Sequence, residues 1–146
     1  MQEQNFKNHS RFVPLFHYVT FSLILFIIVV SIYKFYLNYK TGYGGGLIYP
    51  GLLVAIGFSL VLIAWFARAF AIKAQDRAIR AEENLRYFAI TGKLLDDKLR
   101  MGQIVALRFA TNNEFVELAH RAVKENLSAK DIKMAIKNWK ADHHRA

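Results

Sequence analysis

Apolar positions form two long uninterrupted blocks in the first half of the chain and helical stripes in the second. No Asp, Glu, Lys or Arg stands between Arg11 and Lys34, or between Lys40 and Arg68; these windows hold 22 and 27 residues. A bilayer-crossing helix needs about 20 mainly apolar residues. Each window therefore predicts a span, at about 16–36 and about 48–68. Pro14 and Pro50 suit the first turns of the two spans. Gly44, Gly45 and Gly46 predict a flexible turn between them. No Pro or Gly interrupts the stretch from Phe58 to Thr91, which is rich in good helix formers. The second span should thus continue as one helix to Thr91, with Gly92 as its stop. Counted from Pro50, that helix would be roughly 60 Å long, about twice the hydrocarbon thickness.

After Lys93 the pattern predicts three short helices. The first covers about 101–110. Thr111-Asn-Asn-Glu114 reads as a capping box for the second, which buries Phe115, Leu118, Ala119 and Ala122 and ends near Asn126. Ser128-Ala-Lys-Asp131 is a weaker box, with Asp in place of Glu, and Leu127 with Ile132 would form a hydrophobic staple. The last helix should place Ile132, Ala135, Ile136 and Trp139 on one face, with Trp139 as its main anchor. The chain therefore reads as all-α: a two-helix transmembrane hairpin, a long cytoplasmic extension of the second span, and a small three-helix C-terminal module. Its segments are 1–18, a hairpin over 19–67, a juxtamembrane helix over 68–92, and the module over 93–146.

Composition sharpens this. Of 146 residues, 54% are hydrophobic and none is cysteine, which argues against a soluble globular protein and excludes disulfides, thiolate metal sites and a Cys nucleophile. The first apolar run lacks an A-x-A cleavage pattern, so it reads as an uncleaved anchor. Phe12, Phe16 and Tyr18 on one side, and Tyr33, Tyr36, Tyr39, Tyr43 and Tyr49 on the other, lie where interfacial aromatic belts sit. Lys7 and Arg11 balance Lys34 and Lys40, so orientation rests on Arg68, Lys73, Arg77, Arg80 and Arg86. Basic residues favour the cytoplasmic side, which places both termini there.

Several patterns are candidate sites. Gly51, Ala55 and Ser59 share a helical face that suits close packing, first of all against the chain's own first span. Ala67, Ala71, Ala74, Ala78, Ala81, Leu85 and Phe88 are spaced alternately by four and three, the rhythm of a coiled-coil seam. The seam can receive the chain's own C-terminal helices, a second copy, or another membrane protein. Asp76 with Arg80, and Glu82 with Arg86, are i,i+4 pairs that support a solvated helix. Lys130, Lys133, Lys137 and Lys140 form a stripe that reads as a solvated face or as a contact for anionic headgroups. No nucleic-acid-binding pattern accompanies it. Neither span carries an ionisable acidic or basic group that transport would need. His9, His17, His120 and His143 are the imidazoles a haem or metal reading would use, but they lack ligand spacing. No nucleophile elbow, phosphate loop or paired carboxylates appear, so catalytic, metal and cofactor residues are all expected to be absent.

The blocks EQNFKNHSRFVPLFHY, MGQIVALRFA and RAVKENLSAKDIKMAIKNWKADHHR resemble a bacterial family of short two-span inner-membrane proteins known only as a domain of unknown function. The resemblance covers nearly the whole chain. It implies a bacterial source and an inner-membrane location, and it brings no activity. It also suggests that the two polar terminal blocks meet at the membrane face. The expected function is a non-enzymatic, membrane-anchored accessory or interaction subunit; the alternatives are a scaffold self-assembling through the alanine seam and a His-ligated haem or metal protein.

Overall fold

The computed structural model describes residues 5–6, 13–43 and 46–142, and is all-helical among them save for one isolated backbone bridge. A π-helical turn, Leu15–Thr20, runs into α1, Phe21–Lys40. Helix α2 spans Ile48–Thr91 without a break, and α3 (Met101–Leu107), α4 (Asn112–Lys124) and α5 (Ala129–Ala135) follow. Phe12–Phe70 is one compact unit, and Ala71 onward, with Asn5 and Phe6, belongs to a second.

The first unit holds α1 and the apolar first half of α2, to Phe70. Leu15–Lys40 and Ile48–Thr91 are both long and apolar enough to cross a membrane, and only 11% and 17% of their most apolar windows are buried. Pro14 stands at the start of the first, as expected. The mutual packing face is not the Gly51, Ala55, Ser59 face. Ala55 and Ser59 are exposed, whereas Pro50, Gly57 and Ala64, seven residues apart, are buried on α2, as are Ile24 and Ser31 on α1. The reason is steric: Ile28 fills the space a side chain at Gly57 would need, with Cγ1 only 2.5 Å from an added Cβ. At Gly51 the same Cβ would meet Phe35 at an ordinary 3.6 Å. Asn38 Nδ2 donates to Gly46 O at 2.7 Å and ties the turn to α1.

The second unit is built round one core, with Ile104, Leu107, Phe109, Phe115 and Ile132 fully buried. The α2 residues Ile79 and Tyr87 belong to that core, so the last turns of α2 act as a fourth wall for the three-helix module. Helix α2 ends where expected: Gly92 adopts φ +72° and donates to Phe88 O at 2.8 Å. Helix α4 ends in a Schellman motif. Asn126 takes φ 49°, and Leu127 N–H reaches Ala122 O at 3.2 Å. Buried Gln103 serves both this turn and the start of α3. Its Nε2 donates to Leu127 O at 2.8 Å, and its Oε1 accepts from Arg100 N at 2.7 Å.

The two capping boxes behave in the reverse of the expected order. Ser128 and Asp131 form a complete reciprocal box, with Asp131 N donating to Ser128 Oγ at 3.1 Å and Ser128 N to Asp131 Oδ2 at 3.2 Å. Thr111 takes the N-cap position of α4 without a side-chain cap bond, and the Glu114 carboxylate that would complete the box binds Lys137 N and Asn138 N instead. The expected terminal helix is also shorter. Helix α5 stops at Ala135, and Ile136 leaves it at ψ 121°. Residues 136–142 then run as a strap across the module.

Candidate interaction surfaces

The face of α2 that meets the module is fixed by Arg86. Its guanidinium pairs with Glu83 at 3.0 Å, donates to Asn112 Oδ1 at 2.8 Å and to Ala110 O at 2.7 Å, and lies 4.2 Å from the Phe115 ring centroid. Both partners of the ion pair are nearly buried, with side chains 12% and 7% exposed, so the planar fork satisfies charge and hydrogen bonding together. The i,i+4 partner Glu82 named by the sequence is therefore displaced by Glu83. One turn on, Tyr87 Oη meets His120 Nε2 at 3.1 Å, and its ring packs edge-on to Phe115.

Docking on the Ile79, Glu83, Tyr87 face leaves the alanine seam uncovered. Ala67, Ala71, Ala74, Ala78, Ala81, Leu85 and Phe88 are all exposed, Leu85 at 69% and Phe88 at 50%. The chain's own C-terminal helices thus use a neighbouring face of α2, not the seam. The physical cause is the anchor set: Ile79, Glu83 and Tyr87 offer a large apolar area and a buried ion pair, while the alanines offer little burial per residue.

The lysines do not form one helical stripe. Lys130 and Lys133 lie on α5, with Lys133 Nζ 5.7 Å from the Phe109 ring centroid. Lys137 and Lys140 lie on the strap. What removes them from the helix is Glu114. Its carboxylate accepts Lys137 N and Asn138 N, each at 2.9 Å, and Asn138 Nδ2 at 2.7 Å. Hydrogen bonds to an anionic oxygen are individually stronger than the neutral backbone bonds of a helix. The backbone N–H of Lys137, before any other group, holds the Glu114 carboxyl below its ordinary value. Trp139 is therefore an anchor of the strap rather than of a helix. It lies beside Phe109 with ring centroids 5.0 Å apart, it bridges Ala110 through its backbone, and Lys140 N donates to Phe109 O at 2.8 Å. Arg108 with Asp142, at 2.8 Å, fixes the strap's far end. Nothing local in the sequence marks Glu114 for this role, since its partners lie 23 and 24 residues on.

Of the imidazoles, His17 sits in the first unit with Nδ1 2.8 Å from Val13 O, and His120 sits in the second. His9 and His143 lie outside the described residues, as do Lys7, Arg11 and Phe12 of the N-terminal flank. Of the two polar terminal blocks, EQNFKNH is described at Asn5 and Phe6, and IKNWKADHHR is described to Asp142. Among the described residues, no three His, Cys, Asp or Glu side chains gather into a metal-holding group.

Over residues 1–146 the chain matches, and belongs to, the family described as DUF6526, a family of unknown function. No curated protein and no solved structure matches it.

Proposed function

We propose that this member of the DUF6526 family is an integral protein of the bacterial inner membrane that holds a helical module at the cytoplasmic face as a non-enzymatic accessory or interaction subunit. The observation that carries this reading is the contrast between the two units. The first leaves large apolar side chains uncovered along two span-length helices, among them Leu25 at 62%, Phe26 at 65%, Ile63 at 62% and Trp65 at 70%. Surface of that kind is stable in hydrocarbon and not in water. The second unit closes a complete core yet leaves Ala71, Ala74, Ala78, Ala81, Leu85 and Phe88 open. An open apolar helix face beside a finished core suits a partner helix.

The partner is another membrane protein or a second copy. The second-copy reading, a self-assembling scaffold, draws on the seam's regular four-three spacing. A photocrosslinking residue at Leu85 or Phe88, activated in native membranes, separates the two. A product of a new mass supports the accessory subunit, and a product of twice the chain's mass supports the scaffold. Absence of any product at either position would remove the seam from consideration. A haem absorption band or stoichiometric metal in the purified protein would replace the reading by a cofactor protein.

A further inference from the structure

The first unit contains a cavity of about 320 Å³ between α1 and α2 at their connecting turn. Helix α1 lines it with Val30, Ser31, Lys34 and Asn38; the turn adds Tyr43, and α2 adds Tyr49, Pro50 and Leu53. Among the described residues, Lys34 is the single charged one in its lining, and no carboxylate lines it. Val30, Tyr49 and Leu53 are exposed at 41%, 76% and 47%, so the cavity opens sideways through an apolar lip. Resting on the membrane reading above, that lip faces the acyl chains, while Lys34 and the two tyrosine hydroxyls stand at headgroup level. A site of this volume is too small for a helix about 10 Å across. It fits the upper part of one lipid.

We infer that this wedge binds a single anionic phospholipid, with an acyl chain along Val30, Pro50 and Leu53 and the headgroup phosphate at the Lys34 ammonium. Charge complementarity selects the anionic class, because a zwitterionic headgroup brings a cation that no acid in the site can meet. A phosphate close to the bilayer surface gains a modest charge-assisted contact from one lysine, worth about five-fold in occupancy.

Native mass spectrometry of the full chain from detergent, titrated with phosphatidylglycerol or phosphatidylcholine, tests this. One phosphatidylglycerol per chain should be retained in preference to phosphatidylcholine. Lys34→Gln should lower that retention about five-fold, while Lys34→Arg keeps it. Leu53→Trp, which fills the wedge, should remove both lipids. Equal retention of the two lipids, or retention unchanged in Lys34→Gln, would overturn the assignment even with the protein firmly in the membrane. Release of the chain from membranes by an alkaline wash would instead overturn the membrane reading, and the lipid site with it.

Discussion

Glu114 and Arg86 show how single charged residues decide the module's architecture. Glu114 holds the strap through three hydrogen bonds. Its folded-state carboxyl titrates below the unfolded one, so its stabilisation is present above the ordinary carboxylate value and is lost as pH falls through the lowered value. In a Trp65→Phe background, Trp139 emission should therefore redden at acid pH before global unfolding. Glu114→Ala should show the reddened emission already at neutral pH, and a parent-like spectrum in that variant would refute the latch. Arg86 makes a sharper case. Arg86→Ala strands Glu83, whose side chain is 7% exposed, and should cost about 3 kcal/mol in chemical unfolding. Arg86→Lys should recover little, because an ammonium cannot serve Glu83, Asn112 and Ala110 as a planar fork does. Full recovery by lysine would show that charge alone matters.

At the scale of elements, helix identity was legible in the sequence, and helix faces were less so. Two charge-free windows, Gly92 as a stop and the Ser128 box all follow from local rules, and the structure places them as expected. Faces depend on partners distant in the chain. The Gly51, Ala55, Ser59 pattern obeys the small-residue rule, yet Gly57 carries the approach because Ile28 happens to oppose it. Gly57→Ala should destabilise the hairpin by about 1–3 kcal/mol. In an Ile28→Ala background, which lacks the opposing Cγ1, Gly57→Ala should cost less, whereas Gly51→Ala alone should be nearly neutral. Equal effects at Gly51 and Gly57 would contradict the register. The alanine seam teaches the same lesson: its spacing is visible, but the module's choice of the Ile79, Tyr87 face is set by burial area and by Arg86. Ala74→Leu and Ala78→Leu should thus leave the module's own stability unchanged, since both sites are exposed within the chain. Any change should appear in complex formation, read as detergent-solution mass or co-purification. A lost unfolding midpoint in either variant would mean that the seam is packed inside the chain. The shortened α5 was out of reach for a related reason. Its residues 136–140 continue an amphipathic helical pattern, and only the distant Glu114 and Phe109 pull them out of it.

At the scale of the whole molecule, the chain has two units of different solvent preference. One exposes two apolar helices long enough to cross a membrane, and the other buries its core and displays charge. The chain's lack of cysteine makes the arrangement directly testable. Single cysteines at Thr41, in the turn after α1, and at Lys124, at the end of α4, can be probed in intact bacterial cells with a thiol reagent that reaches the periplasm but does not cross the inner membrane. The account predicts labelling of Thr41→Cys in intact cells, and of Lys124→Cys only after the inner membrane is opened. Labelling of Lys124→Cys in intact cells, or protection of Thr41→Cys until the membrane is opened, would contradict it.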